Sequence, residues 1–78
     1  MNTFLRLTVR RIDGRFRVVA TDPEWLETDD GRLERNPDPI MEHTHEHPFT
    51  DRREAWSFAR QIRRGLEQGR DLDLRHWE

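Results

Sequence analysis

Three histidines, His43, His45 and His47, stand at alternate positions in MEHTHEHPFTD, residues 41–51. Imidazole nitrogens ligate divalent metals and titrate near neutral pH, so the pattern allows a metal site or a proton-sensitive switch. On an extended strand, residues two apart share a side at a spacing of about 6.6 Å. His43 and His47 would then lie about 13 Å apart, too far to hold one tetrahedral ion together. A site would combine one His-x-His pair with a ligand from elsewhere. His76, Asp71 and Asp73 are the candidates if the C-terminal tail lies beside the strand. A His-x-His pair alone is a weak signal, and the plainer reading is the polar edge of a strand.

Other chemistry is poorly served. The chain has 78 residues and no cysteine, tyrosine or lysine, which removes thiolate ligands and thiol or amine nucleophiles. Its single serine, Ser57, falls on the polar side of an expected helix, and its four glycines form no phosphate-cradling loop. The acids lie mostly in a polar, turn-rich region, whereas a working general acid needs burial or a close charge to shift its pKa. We therefore expect neither an enzyme nor a bound cofactor. No apolar run approaches the ~20 residues of a membrane span, and no signal-peptide pattern is present, so the expectation is a soluble cytoplasmic protein.

The charges are the stronger signal. All 14 basic side chains other than histidine are arginine. Residues 1–21 carry five Arg and one Asp, residues 22–51 two Arg and ten acids, and residues 52–78 seven Arg and five acids. The middle of the chain is thus acidic between two basic flanks. Asp22, Glu24, Glu27, Asp29, Asp30, Glu34 and Asp38 crowd one stretch, with Trp25 among them. Carboxylates around an aromatic anchor suit docking on a basic protein surface: charge steers the encounter and the ring supplies burial. Arg6, Arg10, Arg15 and Arg17 gather on one face of an expected hairpin and form an alternative anion-binding surface. No aromatic interleaves them and the net charge is −2, so direct nucleic-acid binding is the weaker expectation.

The elements that must position these residues follow from periodicity and turn chemistry. Residues 3–21 alternate around Asp13-Gly14, a type I′ turn signal. That turn pairs Ile12 with Arg15, Val9 with Val18 and Leu7 with Ala20. One face then carries Leu5, Leu7, Val9, Phe16, Val18 and Ala20. The other carries Arg6, Thr8, Arg10, Arg15, Arg17 and Val19 and reads as solvated. Residues 22–39 form an acidic excursion rich in Asp, Pro and Gly, with a second small hairpin around Asp30-Gly31 as one option. Trp25, Leu26 and Leu33 are expected to anchor it to the core. Residues 40–47 read as a third, edge strand. Residues 51–67 read as a helix capped at Asp51 or Thr50, with Ala55, Phe58, Ala59, Ile62 and Leu66 on one stripe and Gly69 closing its end. The tail, residues 68–78, alternates Leu72 and Leu74 and has the pattern of a short strand.

These elements make one small α+β domain: an antiparallel hairpin plus an edge strand packed under one amphipathic helix, a two-layer sandwich. The expected function is a small non-catalytic protein-binding module that puts its acidic surface on a basic, nucleic-acid-handling complex. In size and charge such a chain is comparable to phage- or mobile-element-encoded inhibitors of bacterial defence complexes (anti-CRISPR-like), although no motif ties it to such a family. A metal- or pH-responsive module using His43, His45 and His47 is the first alternative. An edge strand and a polar composition also leave room for a homodimer.

Overall fold

A computed structural model describes residues 5–70 and 72–78. Residues 3 and 4 of the expected hairpin, Asp71 and the side chain of Leu74 lie outside the described residues. Strand β1, Arg6–Ile12, turns at Asp13-Gly14 into strand β2, Arg15–Thr21. Both turn residues have positive φ, 52° and 79°, as a type I′ turn requires. The register is the expected one, from Ile12 opposite Arg15 to Arg6 opposite Thr21.

The acidic excursion is itself a hairpin. Strand β3, Trp25–Glu27, pairs with strand β4, Leu33–Arg35, and strand β5, Glu42–Thr44, then returns to pair with β2. One sheet thus runs β1-β2-β5 and a separate two-stranded ribbon runs β3-β4. The ribbon extends the β2–β5 pair outward. Asp22 N–H donates to the Met41 carbonyl at 2.9 Å and Asn36 N–H to the Glu24 carbonyl at 2.8 Å. Between these two links one strand has only Pro23 while the other spends Pro37, Asp38, Pro39 and Ile40. The prolines cannot donate to a ladder, so the pairing breaks there and the ribbon separates from the main sheet. Its tip is a three-residue loop, Asp29-Asp30-Gly31: Gly31 N–H donates to Thr28 O at 2.9 Å, and Gly31 has φ 83°.

Helix α1, Arg52–Glu67, packs on β1 and β2. The Asp51 side chain accepts from Arg53 N–H at 2.9 Å and caps its start. At its end Arg70 N–H donates to Gly65 O and Gly69 N–H to Leu66 O, with Gly69 at φ 87°. That is the glycine-closed motif expected there. Ala55, Ala59 and Leu66 are buried, and Phe58 and Ile62 half-buried, so the expected stripe faces the sheet. Leu5, Ala20 and Leu66 form the core centre, with Leu7, Ile62, Leu72 and Trp77 packed around it. The Arg63 guanidinium donates to the Leu5 carbonyl, tying the helix to the start of β1.

Three expectations need correction. The outer face of the main sheet is not simply solvated, because Val19 is 0% exposed. Its neighbours across the two ladders are Thr8 and Thr44, and an Arg10–Glu42 ion pair of 2.6 Å joins β1 to β5 over the face they share. The tail forms no strand among the described residues, and it meets the outer side of β5, which is the edge strand expected. Thr44 and Glu78 exchange two backbone hydrogen bonds, 3.0 and 2.8 Å, and Glu46 N–H donates to His76 O at 2.8 Å. After a short 3-10 turn at Leu74–His76, the tail therefore runs along the far side of β5 with Trp77 opposite His45. Finally, Trp25, Leu26 and Leu33 do not anchor the excursion to the core: they are 44, 39 and 56% exposed. The proline break carries them away from the helix-covered face.

Candidate functional site

The ribbon gathers the acidic residues on a projecting support. Along β3 and β4 the cross-strand pairs are Trp25–Arg35, Leu26–Glu34 and Glu27–Leu33. Alternation therefore puts Trp25, Glu27, Leu33 and Arg35 on one face, and Glu24, Leu26 and Glu34 on the other. Residues 22–39 hold seven carboxylates and two arginines, a net charge of −5. Two of those carboxylates are matched within the ribbon. Glu24 pairs with Arg35 at 3.6 Å, and Asp30 pairs with Arg32 at 3.1 Å. Asp30 also accepts from the Thr28 hydroxyl, and this bond holds its carboxyl below the usual range. Asp22 is half-buried at the ribbon's root, where it accepts from Met41 N–H at 3.1 Å and meets His43 Nε2 at 3.2 Å. Glu27, Asp29, Glu34 and Asp38 are exposed and form no ion pair among the described residues.

Apolar surface accompanies this charge. The Arg35 guanidinium lies over the Trp25 ring, 5.5 Å from its centroid, and leaves much of that ring in solvent. The exposed large apolar side chains among the described residues are Trp25, Leu26, Leu33, Ile40 and Met41, all in the excursion or its return. Where the ribbon leaves the sheet, a cleft of about 480 Å³ opens between Arg6, Thr21, Asp22, Glu24, Trp25, Arg35, Asn36 and Ile40. Sequence reasoning singled out the acids and Trp25 but assigned Leu26 and Leu33 to the core and attached no role to Ile40 or Met41. Neighbouring prolines were the available signal that these residues leave the sheet.

The histidines are brought to one side of the molecule but given separate work. His43 pairs with Asp22. His45 packs its ring edge-on against Phe58 and Trp77, at 4.8 and 4.9 Å, and its Nδ1 accepts from His47 N–H at 3.1 Å. That acceptor role requires an unprotonated Nδ1. Burial lowers the His45 pKa, the nearby His76 and His47 add to the effect, and Glu46 opposes it. His47 stacks edge-on against Phe49 at 4.6 Å. His76 does lie beside the strand, as a third ligand would need, yet it pairs with Glu46 at 2.7 Å and its ring centroid is 6.2 Å from that of His45. Among the described residues no three His, Asp or Glu side chains converge as a metal site.

The arginine face is likewise divided. Arg10 is tied to Glu42, whereas Arg6 and Arg15 are exposed and Arg17 is half-buried. Arg10 stands directly opposite Arg17 in the register, and the Glu42 carboxylate offsets their repulsion. No helix among the described residues is long and apolar enough to cross a membrane. The chain matches no known protein family, no curated protein and no solved structure.

Proposed function

We propose that this protein is a non-catalytic binding module that acts in the cytoplasm. Its β3–β4 ribbon docks on a basic surface of a nucleic-acid-handling complex, in the manner of a phage- or mobile-element-type inhibitor (anti-CRISPR-like). One observation carries the reading. The ribbon stands apart from the core with a net charge of −5 and keeps Trp25, Leu26 and Leu33 uncovered. Free carboxylates steer a cationic partner, and the uncovered apolar groups supply the burial that holds it. An unpartnered surface of this kind is a feature of interaction sites rather than of solvated loops.

The experiment is capture of the partner from host extract on the intact protein, followed by kinetics with the purified partner. Reversing Asp29, Glu34 and Asp38 to lysine, with Asp30 left to hold the turn, lowers the association rate by ~10-fold or more at low salt. The difference shrinks as ionic strength rises. An association rate that the triple variant leaves unchanged would remove the acidic ribbon from the docking surface.

A further inference from the structure

The backbone of the ribbon presents donors and acceptors as well as charge. Asn36 N–H donates to Glu24 O and Thr28 N–H to Arg32 O, each at 2.8 Å. With Leu26 opposite Glu34 between them, the bonded pairs of this ladder are 24/36, 26/34 and 28/32. The intervening residues turn their N–H and C=O groups outward: Trp25 and Glu27 on β3, Leu33 and Arg35 on β4. Neither edge pairs with a further strand among the described residues. A two-stranded ribbon is marginal in water by itself, and this one also leaves its apolar side chains exposed. A third strand would satisfy the outward groups and cover that surface.

The two edges differ in charge. Strand β3 carries Glu27 as its one charge, whereas Glu34 and Arg35 offset each other on β4; Glu24, just before β3, is paired with Arg35. A cationic strand is drawn more to the first edge than to the second. A second copy of the ribbon is opposed at both, since each copy carries the same net −5. Glu24 and Trp25 also line the cleft at the ribbon's root, which gives a side chain of an incoming strand a place to enter.

Resting on the docking role given above, we propose that the partner contributes an extended, cation-rich segment that adds as a third strand to the edge of β3, which is unpaired among the described residues. Its backbone bonds to Trp25 and Glu27, a cation meets Glu27, and an apolar side chain meets Trp25 on the same face.

The test uses the full chain and a synthetic decapeptide repeating Arg-Arg-Val-Val, which carries cations and apolar groups on both faces, alongside the same peptide N-methylated at every residue. On binding, the amides of Trp25 and Glu27 exchange with solvent at least ~10-fold more slowly, while those of Leu33 and Arg35 keep their rates. Glu27→Pro removes the outward N–H without touching a bond inside the ribbon, because strand edges accept proline there. It should weaken binding ~10-fold beyond the effect of Glu27→Gln, which removes only the charge. Equal losses in the two variants, or tight binding of the N-methylated peptide, would overturn strand addition and leave charge-driven docking standing. Protection confined to Leu33 and Arg35 would overturn the choice of edge. Failure of the decapeptide to bind would overturn the proposal as well, whereas the docking role is judged separately by the captured partner. Doubling of the molecular mass at rising concentration without peptide, with Trp25 and Glu27 protected, would make a second copy the occupant. Should Glu27→Pro disorder the ribbon, amide exchange on the unsubstituted chain still decides.

Discussion

His45 shows how a single side chain is diverted from the chemistry its pattern allows. Its ring fills space between Phe58 of the helix and Trp77 of the tail, and its Nδ1 serves as a backbone acceptor. Both roles favour the neutral ring, and burial is the largest cause of its lowered pKa. The unfolded chain therefore binds a proton at a higher pH than the folded one. The stability this contributes is fully present above the ordinary histidine value of 6.5 and is lost as pH falls below it toward the lower folded value. Urea midpoints measured at pH 7.5 and 5.5 should drop in the native chain. His45→Asn keeps an acceptor near the Nδ1 position but cannot titrate, so its drop should be smaller, from a lower starting stability. An equal drop in both would show that His45 does not carry the pH dependence.

At the scale of the element, the C-terminal segment closes the fold. A strand with free backbone groups on one side invites pairing with other chains, and residues 76–78 limit that opportunity by bonding to Thr44 and Glu46. Trp77 supplies the packing, against His45 and beside the Leu5–Ala20–Leu66 cluster. Trp77 is only half-buried, so Trp77→Ala should destabilise by about 2 kcal/mol, below the range for a fully buried tryptophan. The amides of Thr44 and Glu46, which donate to the tail, should exchange faster in the same variant. Slow exchange at both, with unchanged stability, would show that the tail contributes nothing to β5.

The whole molecule is elongated, 43 × 26 × 20 Å, with a radius of gyration of 13.4 Å. A compact chain of this length would have about 11.5 Å. The excess is consistent with a ribbon that stands away from a small helix-on-sheet body. That body contains every buried apolar side chain among the described residues, so folding should not depend on the ribbon. Replacing residues 25–35 with Asn-Gly should shift the melting temperature by less than about 5 °C, equivalent to roughly 1 kcal/mol. The same deletion should abolish binding to the captured partner. A deletion variant that fails to fold would make the ribbon a structural element and weaken the case for its role in docking.

What can be read from residues alone follows interaction distance along the chain. Asp13-Gly14 specifies a tight turn, and a tight turn sets the β1–β2 register. The apolar spacing from Ala55 to Leu66, the Asp51 cap and Gly69 specify the helix and its ends, because each acts within a few residues. The lopsided distribution of charge is likewise a property of the sequence. The burial of Val19 depends on Thr8, Thr44 and an Arg10–Glu42 pair that spans two ladders, and no local pattern announces it. The coverage of β5 depends on hydrogen bonds between Thr44 and Glu78, far apart in sequence. The exposure of Trp25, Leu26 and Leu33 is decided by which way the chain leaves the sheet after Pro23 and where it returns after Pro39. An apolar side chain has the same intrinsic preference for burial in either place. Only the tertiary arrangement determines whether there is anything within reach to bury it against, and along the ribbon there is not.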